Sequence, residues 1–283
     1  MKTLINIVAF LGMVNCAWSQ VLQPEQVVRV PAIFHIIYSD RAHSGYQGAN
    51  TSENISEDLI LAELKNLSQD FMLANADTTE VLGVFKGIIG NPRIEFYLAD
   101  TLLQAGGRKG ILRLKTSNNT SRLYKRSKII NHKKYLNVYI GNIGGSFAPS
   151  ATPWELEDRD AVYLGFEWIG KGYRLLTHEV GHWFGLLHLH GSGGGKGDRY
   201  SCSDGDGISD TPPQKEATQT NGDCDDCPPP YGKATDKSCI PGQPSNYNNF
   251  MDYSGCRRMF TVEQVKKIRS NIVSYRPALL LVE

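Results

Sequence analysis

Five consecutive residues, His178-Glu179-Val180-Gly181-His182, carry the most chemistry in this 283-residue chain. On a helix, side chains four apart share a face, so His178 and His182 stand one turn apart and can grip one zinc ion. Zinc lowers the pKa of a bound water towards neutrality. Glu179, beside the first histidine, can take that water's proton and later deliver it to a leaving amine. The pattern continues as His178-Glu179-x-x-His182-x-x-Gly185-x-x-His188. A helix running on past His182 would carry position 188 away from the metal. Gly185 permits a left-handed turn that ends the helix, so that His188 folds back as third ligand. Three protein ligands leave a position open, as catalytic rather than structural zinc requires. The bland alternative is an amphipathic helix with histidines on its polar face, and the added glycine and third histidine count against it. His190 competes with His188, but its spacing from Gly185 is wrong. His35, His43 and His132 are read as structural or surface residues.

Two further clusters could bind or cross-link. Asp204, Asp206, Asp210 and Thr211 gather oxygen ligands of the hard kind that suit calcium. A solvated acidic loop is the alternative. Cys202, Cys224, Cys227, Cys239 and Cys256 all fall in the C-terminal third, which suggests disulfides stapling a loop-rich region. Cys224-x-x-Cys227 could instead read as a zinc knuckle, but no second such pair follows.

The elements that must position these groups are visible in the periodicity. Residues 27–38 alternate and are rich in β-branched and aromatic residues, as a strand requires. Ser56 can cap a helix opening with Glu57 and Asp58, with Ile60, Leu64, Leu67 and Phe71 on one face. Strands are expected at 94–99, 111–114, 136–140 and 161–166, and a long helix at 173–186. The last of those strands is expected to form the sheet edge that aligns substrate by strand addition. Residues 191–248 are dense in Gly, Pro, Asp, Ser and Asn with little periodicity, and a final helix follows at 261–275. This order implies an α+β fold with one mixed sheet.

Composition bounds the partners. A net charge of +1 gives no support for nucleic acid or an anionic membrane, and 41% hydrophobic residues suffice for a globular core. The first residues read as a secretory signal peptide: Lys2, an apolar run at 4–14, then Ala17-Trp18-Ser19 at the cleavage point, giving removal after about Ser19. Cys16 leaves with it. Later residues contain no stretch apolar enough to span a membrane. Export places the remaining cysteines where disulfides persist. Residues 1–19 are thus expected to be the signal and 20–283 a single catalytic domain. Little chain separates the cleavage point from the first strand, so no propeptide is expected, nor any sorting domain after the last helix.

The extended histidine motif resembles that of the metzincin zinc metalloproteases. Asn249-Phe250-Met251-Asp252-Tyr253-Ser254 looks like their methionine turn, with Met251 as apolar floor beneath the three histidines. Tyr253 resembles the tyrosine that swings near the zinc in several metzincins. Within the metzincins the wording is closest to the pappalysin family, including cytophagalysins and ulilysin-like enzymes. It covers 176–183, Gly205-Asp206-Gly207-Ile208-Ser209-Asp210-Thr211-Pro212, 248–254 and Met259-Phe260-Thr261. The resemblance implies an upper subdomain, about 20–185, with a twisted mixed sheet and two long helices. It implies an irregular, disulfide-stapled lower subdomain, about 186–283, ending in a helix. It also implies the pairs Cys202–Cys239 and Cys227–Cys256, with Cys224 as an extra cysteine that could exchange with Cys227. Calcium binding in related loops favours Asp206 and Thr211.

These readings converge on a secreted zinc endopeptidase acting on proteins or peptides, with Glu179 as base and Tyr253 assisting. The rival from another class is a catalytically silent, secreted, zinc-containing binding module. Such relics usually lose the glutamate or a ligand, and this chain keeps all of them. Hydrolysis of a non-peptide amide ranks third.

Overall fold

The structure, a computed structural model, describes residues 22–43, 50–117, 123–144, 146–148, 152–191, 202, 205–218, 227 and 237–281. The expected signal peptide, Asp204 and Cys224 lie outside the described residues. No helix among the described residues is long and apolar enough to cross a membrane.

The organising strand is β1 (Val28–Tyr38), eleven residues buried at almost every position. Near-continuous apolar character marks a strand covered on both faces of a parallel sheet. Along one side β1 pairs with β3 (Ile94–Leu98) over its first half and with β4 (Ile111–Lys115) over its second, both parallel. Its other side pairs in parallel with β5 (Leu136–Gly141), which pairs in turn with β7 (Val162–Gly165). A two-residue strand, β6 (Ser146–Phe147), then adds antiparallel to β7. The sheet is mixed, as expected, but its edge is corrected: β6 lies outside β7, so residues 162–166 do not form the rim. A two-residue strand has too few positions to show alternation in sequence.

Helix α1 (Glu57–Phe71) lies on this sheet, with the Ser56 hydroxyl accepting from the Leu59 amide at 3.3 Å and Ile60, Leu64, Leu67 and Phe71 buried. Two single-turn helices follow, α2 (Gly83–Lys86) and α3 (Leu123–Arg126). Helix α4 (Leu175–Trp183) carries the histidine motif and is shorter than the expected 173–186. Arg174 enters it with φ of 55°, so regular helix cannot begin earlier, and Gly185 leaves it with φ of 89°. The second long helix is therefore only nine residues.

Below, β2 (Ile89–Gly90) pairs antiparallel with β8 (Phe260–Thr261), which leads into α5 (Val262–Tyr275). Thr261 and Gln264 form a reciprocal capping box there. The structure joins Cys202 to Cys239 and Cys227 to Cys256. A chain of aromatic rings ties the two regions: Phe71 lies 5.2 Å from Phe96, 5.8 Å from Phe184 and 4.8 Å from Phe260, and Phe250 lies 4.8 Å from Phe260.

Candidate active site

Helix α4 is fixed from both ends. At its start, Arg174 pairs with the buried carboxylate of Asp70 on α1, and the Thr177 hydroxyl donates to Asp70 Oδ2 at 2.6 Å. A carboxylate at the first turn also suits the helix dipole. At its end, the turn at Gly185 is packed so closely that an added Cβ would lie 2.7 Å from the Trp154 ring. Leu176, Val180 and Trp183 sink into the core, which leaves His178 and His182 on the opposite side.

Their rings are oriented by backbone carbonyls. His178 Nδ1 donates to Phe250 O at 2.7 Å, and His182 Nδ1 donates to Leu186 O at 2.8 Å. With those protons committed, each Nε2 presents a bare lone pair. The Nε2 atoms of His178, His182 and His188 converge at mutual distances of 3.2, 3.3 and 3.0 Å. Zinc–nitrogen bonds of about 2.0–2.1 Å in a tetrahedron put ligand atoms roughly 3.3 Å apart. Three imidazole nitrogens turned inward at this spacing match the ligand set of a tetrahedral zinc ion, so this donor set fits zinc. Burial holds all three imidazoles below their ordinary pKa, His188 at about 3, and neutral imidazole is the form that ligates. Among the described residues this is the one His/Cys/Asp/Glu group arranged to hold a metal.

Glu179 stands beside the cluster, 4% exposed, with Oε1 accepting from the Ser146 hydroxyl at 2.8 Å. Burial pushes its carboxyl up to about 7, against the pull of that hydrogen bond and of Arg257. A carboxyl poised near neutrality can both accept and return a proton. Met251 lies beneath α4: a Cβ on Gly181 would collide with its sulfur, so glycine there allows turn and helix to meet. The turn is locked by Met251 N donating to Asn249 Oδ1 at 2.9 Å, and by Asn249 exchanging amide hydrogen bonds with Gln264 of α5. The Tyr253 hydroxyl is 3.0 Å from His188 Nε2. These groups line a cleft of about 330 Å³, rimmed by Ser146, Phe147 and Ala148 and walled by Leu175 and Arg257.

The acidic loop divides. Asp206 Oδ1 accepts from the Thr211 hydroxyl at 2.6 Å and the Ile208 amide at 3.0 Å, while its buried Oδ2 has no hydrogen-bond partner. Asp210 instead caps α5, accepting from the Thr261 hydroxyl at 2.6 Å and the Glu263 amide at 2.9 Å. Both Asp210 oxygens thus accept hydrogen bonds at the start of α5. Sequence reasoning missed Ser146, Asp70, Arg174, Gln264 and Arg257, each of which reaches the site through pairing between distant segments.

A family profile described as Peptidase_M43, pregnancy-associated plasma protein-A, matches residues 120–273, more than half of the chain. This chain belongs to the M43 peptidase family. Among relatives of this M43 chain, an extracellular metalloprotease of Arthroderma otae is 35% identical over 102 residues, covering 35% of this chain and 32% of the relative. Another, from Aspergillus fumigatus, is 39% identical over 106 residues, covering 35% and 27%. The M43 chain thus aligns with about a third of the length of these relatives. Among solved structures, a promirolysin mutant of Tannerella forsythia superposes with a TM-score of 0.70 at 26% identity, covering 91% of this chain and 85% of that one. Mature mirolysin in complex with a cleaved peptide gives 0.67 at 26%, covering 90% and 99%. The fold is the mirolysin-like metzincin fold: a mostly parallel sheet, few helices and two disulfides.

Proposed function

We propose that this chain is a secreted zinc endopeptidase that cuts internal peptide bonds with Glu179 as proton carrier. The observation that carries the reading is the convergence of three histidine Nε2 atoms beside a buried carboxylate in an open cleft. His178, His182 and His188 would hold the metal. When bound, zinc supplies Lewis-acid polarisation of the scissile carbonyl and acidifies the attacking water. Glu179 takes that water's proton at its carboxylate and passes it to the departing amine. Ser146 keeps the carboxylate aimed while unprotonated. The Tyr253 hydroxyl, which lines the cleft, donates to the oxyanion that develops as the carbonyl is attacked. The free edge of β6 offers backbone partners to an extended substrate.

Relatives named extracellular metalloproteases, and a structural neighbour solved with a cleaved peptide, support this reading. Secretion also accords with two disulfides and with the signal-like residues 1–19. The buried, unpartnered Oδ2 of Asp206 beside Thr211 supports a structural calcium ion there, with Asp210 left out of its ligand set. Calcium chelation should lower the melting temperature of the parent but not of Asp206→Asn; equal shifts remove this site.

The deciding experiment is cleavage of a broad peptide library by the protein, with and without a zinc chelator. Cutting should be chelator-sensitive. Glu179→Gln should keep zinc and fold but lose about 10²–10⁴-fold in kcat. A folded, zinc-loaded parent that cuts nothing would instead favour the binding module.

A further inference from the structure

One charged side chain in the cleft has so far been given only a pull on the Glu179 carboxyl. Arg257 lines the cavity with Leu175, His178, Glu179 and Tyr253, and no other Lys or Arg does so among the described residues. It is only 5% exposed, so a solute meets it chiefly by entering the cleft. Its backbone is pinned just upstream: Cys256 is bonded to Cys227, its amide donates to Ser254 Oγ at 2.9 Å, and its carbonyl accepts from Asn248 Nδ2 at 3.0 Å. Its guanidinium is oriented too, with Nη2 donating to the Tyr173 carbonyl and Nη1 lying 3.5 Å from the Asp252 carbonyl. These two carbonyl oxygens set the plane of the group.

We propose that Arg257 makes this cleft selective for an acidic residue, Asp or Glu, beside the scissile bond. The inference rests on the peptidase reading and names its substrate class. A guanidinium presents a rigid fork of N–H donors that matches a carboxylate two bonds at a time. Held in a poorly hydrated wall, it interacts more strongly than it would in water. Because Arg257 and Glu179 line the same cavity, a side chain reaching the guanidinium belongs to a residue next to the bond being cut. A lysine or arginine in that place meets like charge, so the same group that attracts acids rejects bases. The competing account is that Arg257 merely braces Tyr173 and the turn at Asp252. A brace would slow every substrate alike, whereas a selectivity residue changes their ratio.

The test uses zinc-loaded protein and peptides that differ only in the residues flanking the cut: Glu, its uncharged twin Gln, and Lys. The parent should favour Glu over Gln by about ten-fold or more in kcat/KM, the share of one charge-assisted hydrogen bond, with Lys poorest. Arg257→Gln should level Glu and Gln, Arg257→Lys should keep part of the preference, and Arg257→Glu should turn it towards Lys. Equal rates for Glu and Gln in the parent overturn the proposal, as does a uniform slowing in Arg257→Gln with the ratio unchanged. Should Arg257→Gln fail to fold, the parent's profile and Arg257→Lys decide. Should the parent cut no peptide, the peptidase reading fails on its own. Fluorescence anisotropy with the labelled Glu and Gln peptides then judges the pocket, equal affinities overturning it.

Discussion

Around β1 the buried side chains are Val30, Ala32, Phe34 and Ile36 on one side of the strand, packed on Ile60, Leu67 and Phe71 of α1. Around Asp252 they are Thr218, Ser245, Asn248, Asn249 and Ser254, nearly all without solvent contact. The first region is held by apolar contact, which is non-directional and scales with area. The second is held by hydrogen bonds whose directions must be right, because a buried polar group without a partner is costly. Helix α4 lies between them, with its apolar face in the first region and its histidines turned to the second. The sheet fixes where α4 lies, and the polar turn fixes where His178 Nε2 points, through the Phe250 carbonyl.

The two regions should therefore fail differently. Phe71→Ala removes the ring that touches Phe96, Phe184 and Phe260, and should cost about 3–5 kcal/mol in global stability by denaturant unfolding. Loss of structure should reach the zinc site, since Phe184 directly follows α4 and Phe260 packs on Phe250, whose carbonyl holds His178. A cost below 1 kcal/mol would mean that the aromatic chain does not join the regions.

Opening the Cys202–Cys239 bond with the double Cys→Ser variant should cost about 2–4 kcal/mol, through release of the loop it closes. Here the damage should begin locally. Hydrogen exchange should accelerate in 237–259 while β1 and β5 stay protected. Simultaneous loss of protection in both regions would merge them into one cooperative unit.

The same divide explains what could be read in the chain. His178, Glu179, His182, Gly185 and His188 were legible because eleven contiguous residues on one helix and its terminal turn set their geometry. Strand β1 and helix α1 were legible because burial imposes a period. The mixed sheet followed from their order. Ser146 was not legible: it meets Glu179 only because a two-residue strand adds to β7, and that pairing leaves no periodic trace. The same gap produced the wrong sheet edge. Arg257 and the Asn249–Gln264 exchange were hidden because directional contacts between distant polar residues have no spacing rule. Asp210 shows the limit of composition: an oxygen-rich cluster suggested a cation, and the chain uses this carboxylate to start a helix.

Acid should separate the two regions with opposite signs. In the sheet, His35 is fully buried between Ser127 Oγ at 2.8 Å and Asn137 Oδ1 at 2.9 Å, and stacks on Tyr139. Burial lowers its pKa from 6.5 to about 4, so the fold prefers neutral imidazole. Its contribution is complete above 6.5 and is lost as pH falls towards 4, about 2 kcal/mol between pH 7 and 5. His35→Gln, which does not titrate, should flatten that decline.

Below α4 the carboxyl of Asp252 behaves the other way. Burial raises its pKa from 3.8 to about 6, although the amides of Tyr253 and Thr218 pull it back. The side chain has no solvent contact, and the Thr218 and Gln214 side chains only partly replace water around the charged form. The unfolded chain gives up this proton at lower pH than the fold does. Stability is therefore unpenalised below 3.8 and declines as pH rises through about 6. On passing from pH 7 to 5, the stability of the parent should rise relative to that of Asp252→Asn by about 1 kcal/mol, the His35 loss being common to both. The variant keeps an oxygen for the Thr218 amide, 2.8 Å away, so the turn survives the change. Urea titrations of both proteins at the two pH values measure the difference. If the parent gains no more than Asp252→Asn on acidification, the carboxyl is solvated and the polar region is wetter than its burial implies.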